Sequence, residues 1–302
     1  AVDSTAWNAL LQAQPQPTPF MRHEYLAALH ASGSATPATG WTPHFIVLER
    51  GGELVGACPL YLKTHSYGEY VFDHAWAQAY RQHGLPYYPK ALVAVPFTPV
   101  PGTRLMARTP EDRVMLAKGL IQWCDTEQLS SLHLLFTDEA DTLACEQAGM
   151  MLRHTVQFHW TNTSPAYADF DAFLASLSQE KRKKIRQERR KVAEAGVRFR
   201  WSQGTDISQA DWDFFYQCYE RTYLEHGNAP YLSRDFFARM ASTLPENWLL
   251  FVAERDGQKI ATSLIAISAL QTGVSGLKPL NFPEQVAYGR YWGAMERVDC
   301  LH

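Results

Sequence analysis

The chain has little of what marks the common metal, redox and nucleotide folds. Its five cysteines, Cys58, Cys124, Cys145, Cys218 and Cys300, lie far apart with no Cys-x-x-Cys pair. That spacing excludes a zinc ribbon, a redox dithiol and a secreted disulfide framework. No Gly-x-Gly-x-x-Gly, Gly-x-x-x-x-Gly-Lys or Gly-x-Ser-x-Gly occurs, which counts against dinucleotide, P-loop and α/β-hydrolase folds. The eleven histidines are scattered, and His154 and His159 would face opposite ways on a strand, so no metal site is expected. No apolar run approaches the ~20 residues that cross a bilayer, and no signal-peptide pattern opens the sequence. A reducing cytoplasm is the expected compartment. Because the sequence opens on Ala1 rather than Met, it is expected to be a piece of a longer protein.

What the chain does have is a repeat. Glu49-Arg50-Gly51-Gly52-Glu53-Leu54-Val55-Gly56-Ala57 returns as Glu254-Arg255-Asp256-Gly257-Gln258-Lys259-Ile260-Ala261-Thr262, and Tyr67-Gly68-Glu69-Tyr70 is answered by Tyr288-Gly289-Arg290-Tyr291. Gly51-Gly52 and Asp256-Gly257 tolerate positive φ, so each copy predicts a hairpin with a tight turn. Helical patterns precede both, at Glu24 to Ala31 and Arg234 to Ser242. The predicted unit is helix, hairpin and a third strand carrying Tyr-Gly-x-Tyr, present twice. The second copy has a Gly-, Pro- and Ser-rich insertion over 269–285, read as a loop, and stops soon after Tyr291. It is expected to lack its back half and to leave apolar surface near Ile265, Tyr291 and Trp292 for another chain to cover.

Between the copies strand and helix alternate, as in an α/β unit. A strand over Tyr67 to Phe72, a helix over Ala75 to His83 and a strand over Ala91 to Phe97 come first. Thr109-Pro110-Glu111-Asp112 then opens a helix with an N-cap hydroxyl, Pro at its first position and acids in its first turn. Strands over Leu132 to Phe136 and Leu152 to Trp160 flank a short helix near Thr142 to Ala148. Phe170, Phe173, Leu174 and Leu177 start an apolar stripe that Ile185 and Val192 prolong, predicting one helix that ends at Gly196. The resulting division is residues 1–160, a linker with a basic helix over 161–196, and residues 197–302.

The charge is segregated. Lys181 to Lys191 holds eight basic residues and Glu188, so in a chain of net charge −3 this segment is +7 and the remainder −10. Arg182, Arg186 and Arg190 stack at i, i+4, i+8, with Lys183 beside them. Such a helix is either a solvated face or the seat of an anion. His65, Tyr67 and Glu69 would share one face of the predicted strand, which makes an acid/base pair geometrically available. The plainer expectation is that the aromatics pack and Glu69 sits at a wet edge. Arg290 occupies the position of Glu69 in the second copy. Lys90 and Arg104 bracket a strand ahead of a helix start, where backbone amides suit a phosphate or carboxylate.

Together with Gly40-Trp41-x-Pro43-His44, Pro59-Leu60-Tyr61-Leu62-Lys63, Tyr87-Tyr88-Pro89-Lys90, Pro96-Phe97-Thr98-Pro99, Gln157-Phe158-His159-Trp160 and Pro245-Glu246-Asn247-Trp248, these segments resemble the FemAB-like predicted N-acyltransferases, across essentially the whole chain. The resemblance implies two GNAT-like acyltransferase units in tandem, the second C-terminally incomplete here. It also implies transfer of an acyl or aminoacyl group, from acyl-CoA or aminoacyl-tRNA, to a small-molecule or nucleotide-linked amine, without a metal. On that basis Glu69 or His65 is the expected base, Tyr67 an oxyanion donor, and Lys90, Arg104, Arg182, Lys183, Arg186 and Arg290 anion ligands. The alternative is a non-catalytic binder of RNA or of a nucleotide-linked cell-wall precursor through the basic helix.

Overall fold

A computed structural model describes residues 2–268 and 286–301; the predicted 269–285 loop lies outside the described residues. The chain begins with α1 (Ser4–Gln12), whose N-cap carboxylate on Asp3 accepts from the Ala6 amide at 2.8 Å, and α2 (His23–Ala31). Four strands follow, β1 (Trp41–Pro43), β2 (Ile46–Arg50), β3 (Glu53–Cys58) and β4 (Leu60–Lys63). Next come α3 (His74–Gln82), β5 (Lys90–Val93), β6 (Met106–Ala107), α4 (Pro110–Thr126), β7 (Leu132–Leu134) and α5 (Glu139–Gln147). The rest comprises α6 (Phe170–Ala175), α7 (Gln179–Glu194), β8 (Arg198–Gln203), α8 (Gln209–Glu225), α9 (Arg234–Thr243), β9 (Trp248–Arg255), β10 (Gln258–Ile267) and β11 (Ala287–Ala294).

Three sheets result. β1-β4-β5-β7 is mixed, with β5 and β7 parallel; β2-β3-β6 and β11-β10-β9-β8 are antiparallel throughout. Both predicted hairpins are present. Gly51 and Gly52 (φ 61 and 84°) join β2 to β3, and Asp256 and Gly257 (φ 52 and 75°) join β9 to β10. Two successive positive φ angles give the turn that matches strand twist. The α4 start is also as predicted, with Thr109 accepting from the Asp112 amide at 3.1 Å.

One hydrophobic core joins the two halves. Trp7, Tyr25, Trp41 and Tyr61 belong to the same buried cluster as Trp212, Phe215, Phe236, Trp248 and Tyr291. α2 meets α9 through an edge-on Tyr25–Phe236 pair with ring centres 5.3 Å apart. Near this pair Ser233 Oγ donates to the Ser32 carbonyl at 3.1 Å, and the two halves meet again where Arg22 pairs with Glu246 at 2.8 Å.

Three sequence expectations fail. The predicted strand over 67–72 is a turn, with Gly68 at φ 80° and Tyr70 at φ 60°, while its counterpart in the second copy is β11. The segment over 152–160 has no regular secondary structure and pairs with no strand; Val156, Phe158 and Trp160 are 76, 98 and 66% exposed. The single helix expected over 170–195 is two, because Ser178 caps α7 by accepting from the Lys181 amide. Of the apolar surface expected on the second copy, Trp292 is 41% exposed and Ile265 half-buried, but Tyr291 is buried under α8 and α9.

Candidate functional site

Lys63 ends β4 and Lys90 begins β5, and the two are cross-strand partners in an antiparallel pair. Both are fully buried. Two ammonium groups side by side away from water need anions close at hand, and the turn that replaces the predicted strand supplies them. Glu69 and Asp73, both buried, fold back over the strand ends. Lys90 Nζ donates to Glu69 Oε2 at 2.8 Å, to Ser66 Oγ at 2.9 Å and to Asp73 Oδ2, which uses all three of its protons. Lys63 Nζ donates to the Tyr67 carbonyl at 3.3 Å and stands 3.7 Å over the Trp41 ring.

A polar shell holds this quartet. Asp73 Oδ2 also accepts from Ser66 Oγ at 2.9 Å and from the Tyr87 hydroxyl at 2.8 Å. With the Ser66 proton so committed, the Tyr88 hydroxyl donates to Ser66 Oγ across 2.7 Å. His133 Nε2 lies 3.2 Å from the Tyr87 oxygen and 3.0 Å from Ser131 Oγ. Glu69 Oε1 and Asp73 Oδ1 are buried and have no partner within the protein. Each is an acceptor left open within electrostatic reach of Lys63, whose ammonium makes a single hydrogen bond, to the Tyr67 carbonyl.

Burial sets the electrostatics. It holds the Glu69 carboxyl above its ordinary range against the pull of Lys90, and it draws the Lys63 ammonium down to about 7 although Glu69 attracts it. Burial would lift Asp73 too, but hydrogen bonds from Lys90 and Tyr87 outweigh it and keep that carboxyl low. Burial, helped by Lys90, lowers His133 to about 4. The cluster thus holds one low carboxyl, one raised one and an easily neutralised amine.

The other predicted residues lie elsewhere. His65 is half-buried, its Nδ1 accepting from the Tyr67 amide at 3.2 Å, and the Tyr67 side chain is 71% exposed at the rim. The three therefore do not share a strand face, and Glu69 is not at a wet edge. Arg104 is buried, with its guanidinium on the carbonyls of Gly102 (3.2 Å) and Val100. These bonds close its own loop, while its Nε is buried without a partner. Arg290 in β11 donates to the Phe97 carbonyl at 2.7 Å and the Tyr291 hydroxyl at 3.1 Å, and the Phe97 amide donates in turn to the Gly68 carbonyl at 3.2 Å; Arg290 thus lies beside the 67–70 turn, but among the described residues no hydrogen bond or ion pair joins it to Glu69. Arg182, Lys183 and Arg186 ride on α7, and no hydrogen bond or ion pair joins that helix to the cluster among the described residues. Arg186 pairs with Asp171 at 3.4 Å.

The residues the sequence did not assign are Lys63, Ser66, Asp73, Tyr87, Tyr88 and His133. A signal for the first existed: Lys63 and Lys90 each stand at the end of an otherwise apolar strand, Leu60-Tyr61-Leu62 and Ala91-Leu92-Val93. Among the described residues no group of three His, Cys, Asp or Glu side chains converges to hold a metal.

A mixed sheet ending in a buried Lys₂–carboxylate₂ cluster, sharing one core with an antiparallel sheet, defines a mixed α/β protein with a polar site in its N-terminal half. Residues 1–302 match the FemAB-like family, described as peptidoglycan biosynthesis/recognition, and the chain belongs to that family. It is similar to the crystal structure of FemX at 13% identity and a TM-score of 0.45, over 85% of this chain and 57% of that one. The chain therefore spans less than two thirds of that protein's length. No curated protein matches it.

Proposed function

We propose that the protein transfers an acyl or aminoacyl group from an activated ester or thioester to an amine of a peptidoglycan precursor, with Glu69 as the base. The observation that carries this is the open Glu69 Oε1, an unpartnered buried acceptor on a carboxyl whose proton affinity burial has raised. A base for an amine needs both a free lone pair and a pKa above the ordinary carboxylate range. Membership of a peptidoglycan family supports the substrate class.

In this scheme the amine nitrogen attacks the carbonyl carbon and a new C–N bond forms. One amine proton passes to Glu69 Oε1. The carbon–sulfur or carbon–oxygen bond then breaks, and the same carboxyl returns its proton to the departing thiolate or alkoxide. Lys90, fixed by three hydrogen bonds, holds Glu69 in place, and Asp73 balances the charge of Lys90 so that Glu69 need not remain ionised throughout.

The test is direct. The purified chain is incubated with acyl thioesters or aminoacyl esters and with peptidoglycan peptides bearing a free amine, and the products are weighed by mass spectrometry. An amide product that depends on the chain supports the proposal. Absence of product across both donor classes and all amine-bearing peptides contradicts it.

A further inference from the structure

The largest feature outside the cluster is a surface where cations and exposed apolar side chains lie together. α7 carries eight Lys and Arg against three Glu, and seven of those eight cations are exposed, Arg182 being half-buried. Val192 is buried against Ala253 and Ala261, and Ile185 is half-buried, so the helix is fastened along one stripe and presents its charges outward. Its acids offset little: Glu188 is 3.9 Å from Lys184 and Glu194 is 3.6 Å from Arg190.

A chain of rings links these cations to the unpaired segment. The Arg189 guanidinium lies 4.2 Å from the centre of the Phe170 ring. Phe170 meets Phe173 at 5.7 Å, and Trp160 stands edge-on to Phe173 at 6.0 Å. Val156 and Phe158 stand four and two residues before Trp160 in the chain, and they are 76 and 98% exposed. Phe199 and Trp201, 59 and 64% exposed, lie on the edge strand β8. They pair with Ala253 and Phe251, and Ala253 shares a buried cluster with Val192 of α7. Exposed apolar patches of this extent, rimmed by charge of one sign, mark a docking surface.

We propose that this surface docks on an anionic lipid bilayer, the α7 cations on the headgroups and Val156, Phe158 and Trp160 in the interfacial layer. The charge of α7 selects an anionic partner, and exposed aliphatic side chains select lipid over nucleic acid. Val156 and the 83% exposed Met151 have no π face at all and suit hydrocarbon. The inference stands apart from acyl transfer, since none of these side chains touches the Lys63–Glu69–Lys90–Asp73 cluster.

The test is flotation of the full chain with vesicles of phosphatidylcholine, with and without about 30% phosphatidylglycerol, at low salt and at about 0.5 M salt. The chain should float only with the anionic vesicles and be released by salt. Phe158→Ala with Trp160→Ala, and separately Lys181→Glu with Arg190→Glu, should each reduce partitioning about tenfold with an unchanged thermal melt. A single-stranded RNA oligonucleotide is assayed in parallel. Binding to the oligonucleotide but not to vesicles would assign the surface to nucleic acid and overturn the proposal. So would binding to neither, or anionic-vesicle binding that both double variants leave intact.

Discussion

Arg290 in β11 donates to the backbone carbonyl of Phe97, a residue of the N-terminal half, at 2.7 Å. The guanidinium also lies 5.4 Å from the centre of the Phe20 ring and 4.9 Å from that of Tyr291. Phe97 itself sits at φ 57° and stacks on Tyr231 at 4.9 Å. One cation thus ties the antiparallel sheet to the loop that follows β5. Arg290→Met should leave the Phe97 carbonyl and the Tyr291 hydroxyl without a donor in a buried seam, costing about 2–4 kcal/mol. Arg290→Lys should recover only part of this, because an ammonium lacks the planar fork. Chemical denaturation of the three proteins checks it.

Lys63 gives a pH dependence with a definite sign. In the unfolded chain its amine stays protonated to about 10, whereas in the folded protein burial lets it lose its proton near 7. Between those values the unfolded state binds more protons, so this residue makes stability rise with pH. The stability difference between wild type and Lys63→Met should shift in favour of wild type above pH 7, by at most about 1.4 kcal/mol per pH unit. Urea titrations at neutral and alkaline pH measure it, and a difference that stays flat contradicts the burial argument.

Gly293 tests the packing of β11 on α8. A Cβ there would lie 2.4 Å from the Cys218 carbonyl oxygen and 2.7 Å from its carbon, both backbone atoms that cannot swing aside. Gly293→Ala should cost about 3 kcal/mol. Gly289→Ala in the same strand meets nothing within 4 Å and should melt close to wild type.

The local parts of this structure were legible in the sequence and the long-range parts were not. Positive-φ dipeptides placed both hairpins, and Thr109-Pro110 placed the start of α4, because these features depend on a few adjacent residues. Alternating aromatics over 67–72 suggested a strand by the same logic. There the outcome depended on Lys90, some twenty residues on, drawing Glu69 inward. Arg104 resembled an anion ligand because its Pro-Gly loop precedes a helix, yet its guanidinium turned onto that loop's own carbonyls. Glu69 and Lys90 were both singled out in the sequence, but in separate roles; that they form one ion pair follows from the pairing of β4 with β5 and the turn after β4.

The claim that Glu69 is the base is tested most directly by single-turnover transfer with Glu69→Gln. Glutamine keeps the size of the side chain and can still accept from Lys90 through its carbonyl oxygen, but it cannot take a proton at neutral pH. Transfer should slow by about 10²–10⁴-fold, with binding of the amine changed far less and the thermal melt within a few degrees of wild type. Transfer at the wild-type rate by a folded Glu69→Gln protein would contradict the assignment.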